Sequence, residues 1–172
     1  MSLLSVNKSA RSAVALVPPE ALWEPIDRIR AKHDKQIVRW MPHLNLMFPF
    51  VHPDHLEAEL DALAAACATV APFELALTSF HIFKHGSHKA TVWLAPEPKA
   101  PLSALHAALA ERYPHLDTSK QFEEGFTPHL SVGQTRTYAL GRILADELNA
   151  DWEPLRFEVN EVSVLARTLH GP

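Results

Sequence analysis

The triplet Pro-His-Leu stands at residues 42–44 and again at 128–130, and this repeat constrains the fold more than any other feature of the chain. Each copy opens an apolar stretch: Pro42-His43-Leu44-Asn45-Leu46 and Pro128-His129-Leu130-Ser131-Val132. Successive side chains of a strand point to opposite faces. As a strand, the first copy puts His43, Asn45 and Met47 on one face and Leu44, Leu46, Phe48 and Phe50 on the other. The second puts His129 and Ser131 opposite Leu130 and Val132. Each strand thus buries aliphatic residues and presents a histidine with a hydrogen-bonding side chain two positions on. A chain that builds the same two-faced strand twice is expected to consist of two similar halves.

Hydrophobic periodicity fills in the halves. Strands are expected at 13–17, 43–51, 73–83, 88–94, 128–134 and 155–165, with a hairpin turn at 84–87. Helices are expected at 19–32, 53–70, 101–113 and 138–149. The proline-rich stretch 95–101 reads as a stiff loop leading into the second half. Strands and helices follow nearly the same order in both halves, which are expected to share one compact body. If a pseudo-two-fold axis relates them, the two motifs can face each other across one cleft. With 172 residues there is room for one domain, expected over 12–172 behind a flexible N-terminal tail at 1–11.

Composition narrows the function classes. Sixteen Lys and Arg against twenty Asp and Glu give a net charge of -4, which argues against a surface that coats long nucleic acid. A single cysteine excludes an intramolecular disulfide framework and a multi-cysteine zinc site. Cys67 lies on the apolar stripe of its helix and reads as core. No apolar run reaches the roughly 18–20 residues of a membrane span, so a cytoplasmic protein with no membrane partner is expected. Eleven histidines suggest metal at first sight. His52 and His55 flank a helix start, however, and a strand-turn geometry would scatter His81, His85 and His88. His33, His106, His115 and His170 read as surface residues. No metal or other cofactor is expected.

His43 and His129 remain. If their strands face each other across the cleft, one ring can take a proton while the other gives one, because an imidazole titrates near ~6.5. Asn45 and Ser131 can then donate to oxygens that carry negative charge, as at a phosphate. These residues resemble the 2H phosphoesterases, the 2′-5′ RNA ligase-like superfamily, whose signature is two H-x-[ST]-x motifs, one per lobe. The resemblance covers residues 12–165. It implies an α+β, bilobal fold, with two pseudo-two-fold-related lobes of antiparallel sheet and outer helices around a central cleft, and hydrolysis or ligation of 2′,5′ or 2′,3′-cyclic phosphodiesters in nucleotides or RNA ends, without metal. Asn45 departs from the Ser or Thr of the pattern, and Gln134 stands where several relatives carry a basic residue. Arg39, Trp40, Phe126, Trp93 and Tyr138 are further candidates to contact a small nucleotide or RNA-end substrate. A nucleotide- or RNA-binding module that keeps the cleft but not turnover is the alternative.

Overall fold

The computed structural model describes residues 8–167. The chain runs β1 (Lys8–Ser9), β2 (Ser12–Leu16), α1 (Trp23–His33), β3 (Leu44–Met47), β4 (Phe50–Val51), α2 (Leu56–Cys67) and β5 (Phe73–His85). It continues β6 (Lys89–Glu97), α3 (Ala100–Arg112), β7 (Leu130–Thr135), α4 (Tyr138–Asp151), β8 (Leu155–Val159) and β9 (Ser163–Ala166). One lobe carries the antiparallel sheet β3-β2-β9, with the β1-β4 pair beside it. The other carries the antiparallel sheet β7-β6-β5-β8. The fold is the expected α+β arrangement of two antiparallel lobes.

The local signals that start the helices are visible. Thr137 caps α4 by accepting from Leu140 N at 3.1 Å, and Pro101 sits in the first turn of α3, where its missing N–H costs nothing. Pro53–His55 forms a short 3-10 turn ahead of α2, capped by His52 Nδ1, which accepts from Asp54 N. Arg30, Lys32 and His33 lie in the last turn of α1, where cations favour the negative end of the helix dipole.

Both lobes share one core. Val14, Leu16, Leu44 and Phe50 from the first lobe join Leu75, Leu77, Leu94 and Leu130 from the second in a single buried cluster. The two sequence halves also exchange helices. Helix α1, from the first half, packs on β7, while α3, from the second, packs on β3. The repeat is therefore β2-α1-β3-α2-β5 followed by β6-α3-β7-α4-β8. Its junction is the β5–β6 hairpin, not the proline-rich stretch.

Several expectations need correction. Ala95 to Glu97 extend β6 instead of forming a loop, because they pair with Ala76, Leu77 and Ser79 of β5. The final strand is two strands in different sheets: β8 pairs with β5, and β9 crosses back to pair with β2. Within the stretch expected to be a tail, Lys8 and Ser9 pair with Val51 and Phe50, and Arg11 O accepts from Arg167 N at 2.9 Å. Residues 1–7 lie outside the described residues. Met47 is buried in the core and does not share a face with His43. A β-bulge causes this: Ala15 pairs with Asn45 but Val14 with Met47, so Leu46 is the extra residue and the alternation slips.

The same device recurs in β7. Trp93 pairs with Ser131 but Val92 with Gly133, so Val132 is the extra residue. The two bulges fall at the same place in each motif, three residues after the histidine. In β7 the bulge presents Gly133 to α1. A β-carbon added at Gly133 would stand 2.5 Å from His33 Cβ and 3.1 Å from its carbonyl oxygen. Replacing Gly133 with alanine therefore forces α1 off the sheet. Urea unfolding of G133A is expected to show a loss of about 1–3 kcal/mol, the usual cost of overpacking; an unchanged midpoint would contradict this close approach.

Candidate active site: two histidines on bulged strands

His43 and His129 precede β3 and β7 and are held in the same way. His43 Nδ1–H donates to the carbonyl of Met41 at 2.7 Å, and His129 Nδ1–H donates to the carbonyl of Thr127 at 2.8 Å. In each case the acceptor lies two residues upstream. A carbonyl only accepts, so Nδ1 carries the proton in the neutral ring and Nε2 keeps its lone pair for chemistry. Burial pushes both rings below the ordinary histidine range, against the opposing pull of the carbonyl bonds. Arg30 and His129 lower His43 further, while His85 lowers His129. His129 is thus near enough to His43 for a proton on it to disfavour a proton on the His43 ring.

The surroundings of the rings differ. Trp40 lies 5.9 Å from His43, tilted by 50°. Phe83 presents an edge contact to His129 at 4.9 Å, with Trp93 at 6.0 Å. Asn45 and Ser131 sit two residues after the histidines and have as strand neighbours Ala15 and Trp93 respectively. Ala15 and Trp40 therefore flank the first motif, and Phe83 and Trp93 the second. Asn45 Oδ1 and Trp93 Nε1 are both buried without a hydrogen-bond partner. Unpaired buried polar atoms cost on the order of 1–3 kcal/mol each, a penalty that a bound polar group relieves.

The remaining sequence candidates divide. Trp93 belongs to the His129 wall but is only 7% exposed, with Phe83 stacked on it at 4.6 Å, so its ring faces are packed. Phe126 is likewise engaged: the His106 ring stacks on it at 4.1 Å with 4° between planes. His106 is accordingly no surface residue. Its side chain is 12% exposed and lies 3.4 Å from Asp117. Tyr138 stands on the other side of the sheet. Its hydroxyl donates to the Gly86 carbonyl and its ring lies 5.1 Å from the Lys84 ammonium. Lys84 shares its strand face with Phe80 and Ile82, opposite His81, Phe83 and His85, so Tyr138 does not line the cleft. Arg39 is exposed on the turn between α1 and β3.

The cation brought to His43 is instead Arg30, which the sequence reading did not single out. It is 2% exposed, with Nε 2.8 Å from Asp34 Oδ2, Nη1 2.9 Å from Asp27 Oδ1 and Nη2 2.7 Å from the Trp40 carbonyl. Its spacing of three and four from Asp27 and Asp34 was the signal available.

Other features lie elsewhere. A hollow of about 550 Å³ between α2, the start of β5 and the β8–β9 crossover is lined by Leu60, Leu63, Cys67 and Phe73 among others, and neither histidine borders it. Burial pushes the Cys67 thiol up, as befits a core residue. His81 pairs with Ser79 and His85 with Thr91. Among the described residues no three His, Cys, Asp or Glu side chains are grouped to hold a metal ion, and no helix is long and apolar enough to cross a membrane. His115 is exposed and His33 half-buried against β7, while His170 falls outside the described residues.

A cleft built from two antiparallel lobes, each offering a histidine from the same strand position, defines a 2H phosphoesterase. The sequence model of the 2′-5′ RNA ligase superfamily matches residues 18–171, and the chain belongs to that superfamily. Among solved structures it is similar to LigT of E. coli complexed with 3′-AMP, at TM-score 0.55 and 20% identity, covering 96% of this chain and 92% of that one. It is also similar to a crystal structure described as a phosphoesterase, at TM-score 0.56 and 19% identity, covering 94% and 91%. No curated protein matches it. Membership of the superfamily supports an enzyme of phosphodiesterase or ligase type.

The geometry of the two rings is open to measurement. Nitrogen-15 NMR is expected to find both imidazoles in the Nδ1–H form when neutral and to place both titrations below 6.5. Folded-state values below the unfolded value mean that the unfolded chain binds more protons. Stability from these rings is therefore complete above about pH 6.5 and is lost as pH falls through the folded values. A titration of either ring above 6.5 would contradict its burial.

Proposed function

We propose that the chain is a phosphodiesterase that hydrolyses, or reversibly ligates, 2′,3′-cyclic or 2′,5′ phosphodiester bonds in small nucleotides or RNA ends, with His43 and His129 as its acid/base pair. The observation that carries this reading is the matched anchoring of the two rings. Each has Nδ1 tied to the carbonyl two residues upstream and Nε2 left for proton transfer. In hydrolysis of a cyclic ester, the neutral ring takes a proton from water as the water oxygen attacks phosphorus. The protonated ring gives its proton to the departing ribose oxygen, and the P–O bond to that oxygen breaks. The proton states of the two rings are exchanged at the end. Ligation uses the same proton transfers with a 5′-hydroxyl in place of water: its oxygen attacks phosphorus, its proton passes to the neutral ring, and the P–O bond to the protonated ribose oxygen breaks. Asn45 and Ser131 hold the phosphate oxygens, and the acid/base pair needs no metal to move its protons. The aromatic wall around Phe83 and Trp93 supports placing the flat part of a nucleotide beside His129. A cleft in a chain of net charge -4 favours a short substrate over long nucleic acid, and a cytoplasmic setting suits an RNA-end substrate.

Turnover of 2′,3′-cyclic mononucleotides and 2′,5′-linked dinucleotides, followed by product mobility, tests this. Alanine at His43 or at His129 is expected to lower kcat by about 10²–10⁴, the worth of one general acid or base. Full activity in the double variant would overturn the reading. Nucleoside monophosphate binding without turnover of any of these substrates would assign the cleft to recognition instead. Because both rings are held below the ordinary range in the free protein, kcat/KM is expected to follow a bell with its maximum below pH 6.5. Bound phosphate favours the protonated acid, so the kcat maximum is expected at higher pH than that of kcat/KM.

A further inference from the structure

Gln134 lies three residues after Ser131 on β7, where unbroken alternation would turn the two side chains to opposite faces. The bulge at Val132 reverses this. Ser131 pairs with Trp93 and Gln134 with Thr91, two β6 residues on one face, so Gln134 is carried to the cleft side. There its carboxamide bridges to the first half of the chain. Nε2 donates to Asp34 Oδ1 at 3.0 Å, and Oε1 accepts from the backbone N–H of Lys35 at 3.0 Å. Asp34 is 7% exposed and binds Arg30 through its other oxygen. Arg30 holds the Trp40 carbonyl, and the next residue, Met41, holds the His43 ring. One continuous series of hydrogen bonds and short backbone links thus runs from the strand of His129 to the ring of His43.

We infer that Gln134, Asp34 and Arg30 form a pin across the cleft that fixes the His43 ring relative to the His129 strand, and that Gln134 is a positioning residue and not a substrate contact. The inference rests on the two-histidine reading given above. An amide is the side chain this place requires. It donates to a carboxylate and accepts from a backbone N–H at once, whereas lysine or arginine only donates. A cation here would leave the Lys35 N–H unpaired and set a second positive group beside the carboxylate that Arg30 already occupies.

Gln134→Met keeps the length of the side chain and removes both hydrogen bonds. With a 2′,3′-cyclic mononucleotide as substrate, kcat is expected to fall about 10- to 100-fold, as for a misplacement of about 1 Å, with KM within threefold. Gln134→Glu, which keeps the acceptor for Lys35 but repels Asp34, is expected to be at least as slow. Asp34→Asn combined with Gln134→Met is expected to be no slower than the slower single variant, because links in one series are not additive. A KM raised tenfold at unchanged kcat would overturn the inference in favour of substrate contact. Unchanged kinetics, or full additivity, would also overturn it. The NMR signals of the His43 ring give a readout that needs no turnover. They are expected to be single and sharp in the parent and split or broadened in Gln134→Met. If the parent turns over none of the substrates, the acid/base reading fails. Unchanged His43 signals in the variant would then still overturn the pin.

Discussion

The interior of this molecule has to accommodate one guanidinium, and much else follows from how it does so. A buried charge is tolerated only when paired and fully hydrogen-bonded. Arg30 meets that demand with two aspartates of its own helix surroundings and the carbonyl of Trp40. These contacts hold the end of α1, the turn after it and the residues leading into His43 as one unit. The unit then has to fit against β7, where only a glycine leaves room for His33. The position of one histidine-bearing strand relative to the other is therefore set by polar bonds at one end and by close packing at the other. Removing an aspartate would leave an uncompensated charge where the chain can least solvate it.

The bulges show how a repeated motif becomes two different halves of a site. Both interrupt the strand three residues after the histidine, and both let the residues beyond leave the face that alternation assigns to them. In β3 the slip sends Met47 into the core. In β7 it brings Gln134 to the lobe interface. The symmetry holds at the histidines and their carbonyl anchors and is given up just beyond them. The neighbouring strands complete the difference by placing Ala15 beside one motif and Trp93 beside the other.

Much of the fold was legible in the sequence, because periodicity of apolar residues reports the buried face of each element directly. The four helices and β7 are where that pattern puts them, whereas the strand expected at 43–51 is broken into β3 and β4, which pair with β2 and β1 in different sheets. Pairing was less legible. Residues 155–165 carry one apolar pattern, yet they serve two sheets, since alternation says which face is buried and not which neighbour a strand has. Bulges were invisible for the same reason: Leu46 and Val132 fit an alternating strand perfectly well. His43 and His129 stand just before β3 and β7, and Asn45 and Ser131 at the second residue of each, because the repeat encodes them. Arg30, Asp34 and Gln134 escaped because each is an ordinary polar residue in its own segment. Only the exchange of α1 onto β7 brings residues about a hundred positions apart into one network. Conversely, Tyr138 was close to the motif in sequence but separated from it by the thickness of a sheet.

The return of β9 to β2 has a consequence for how the molecule is made. Strand β2 is buried at every position and lies between β3 and β9. It leaves the ribosome early, whereas β9 is among the last described segments to follow. Until then, one edge of the most apolar strand in the first lobe stands open, with backbone groups ready to pair with any extended chain they meet. Synthesis at about 5–20 residues per second makes that interval on the order of 10 to 30 seconds. In a nascent chain of this topology, the open edge of β2 is the place where another extended chain would add before β9 covers it.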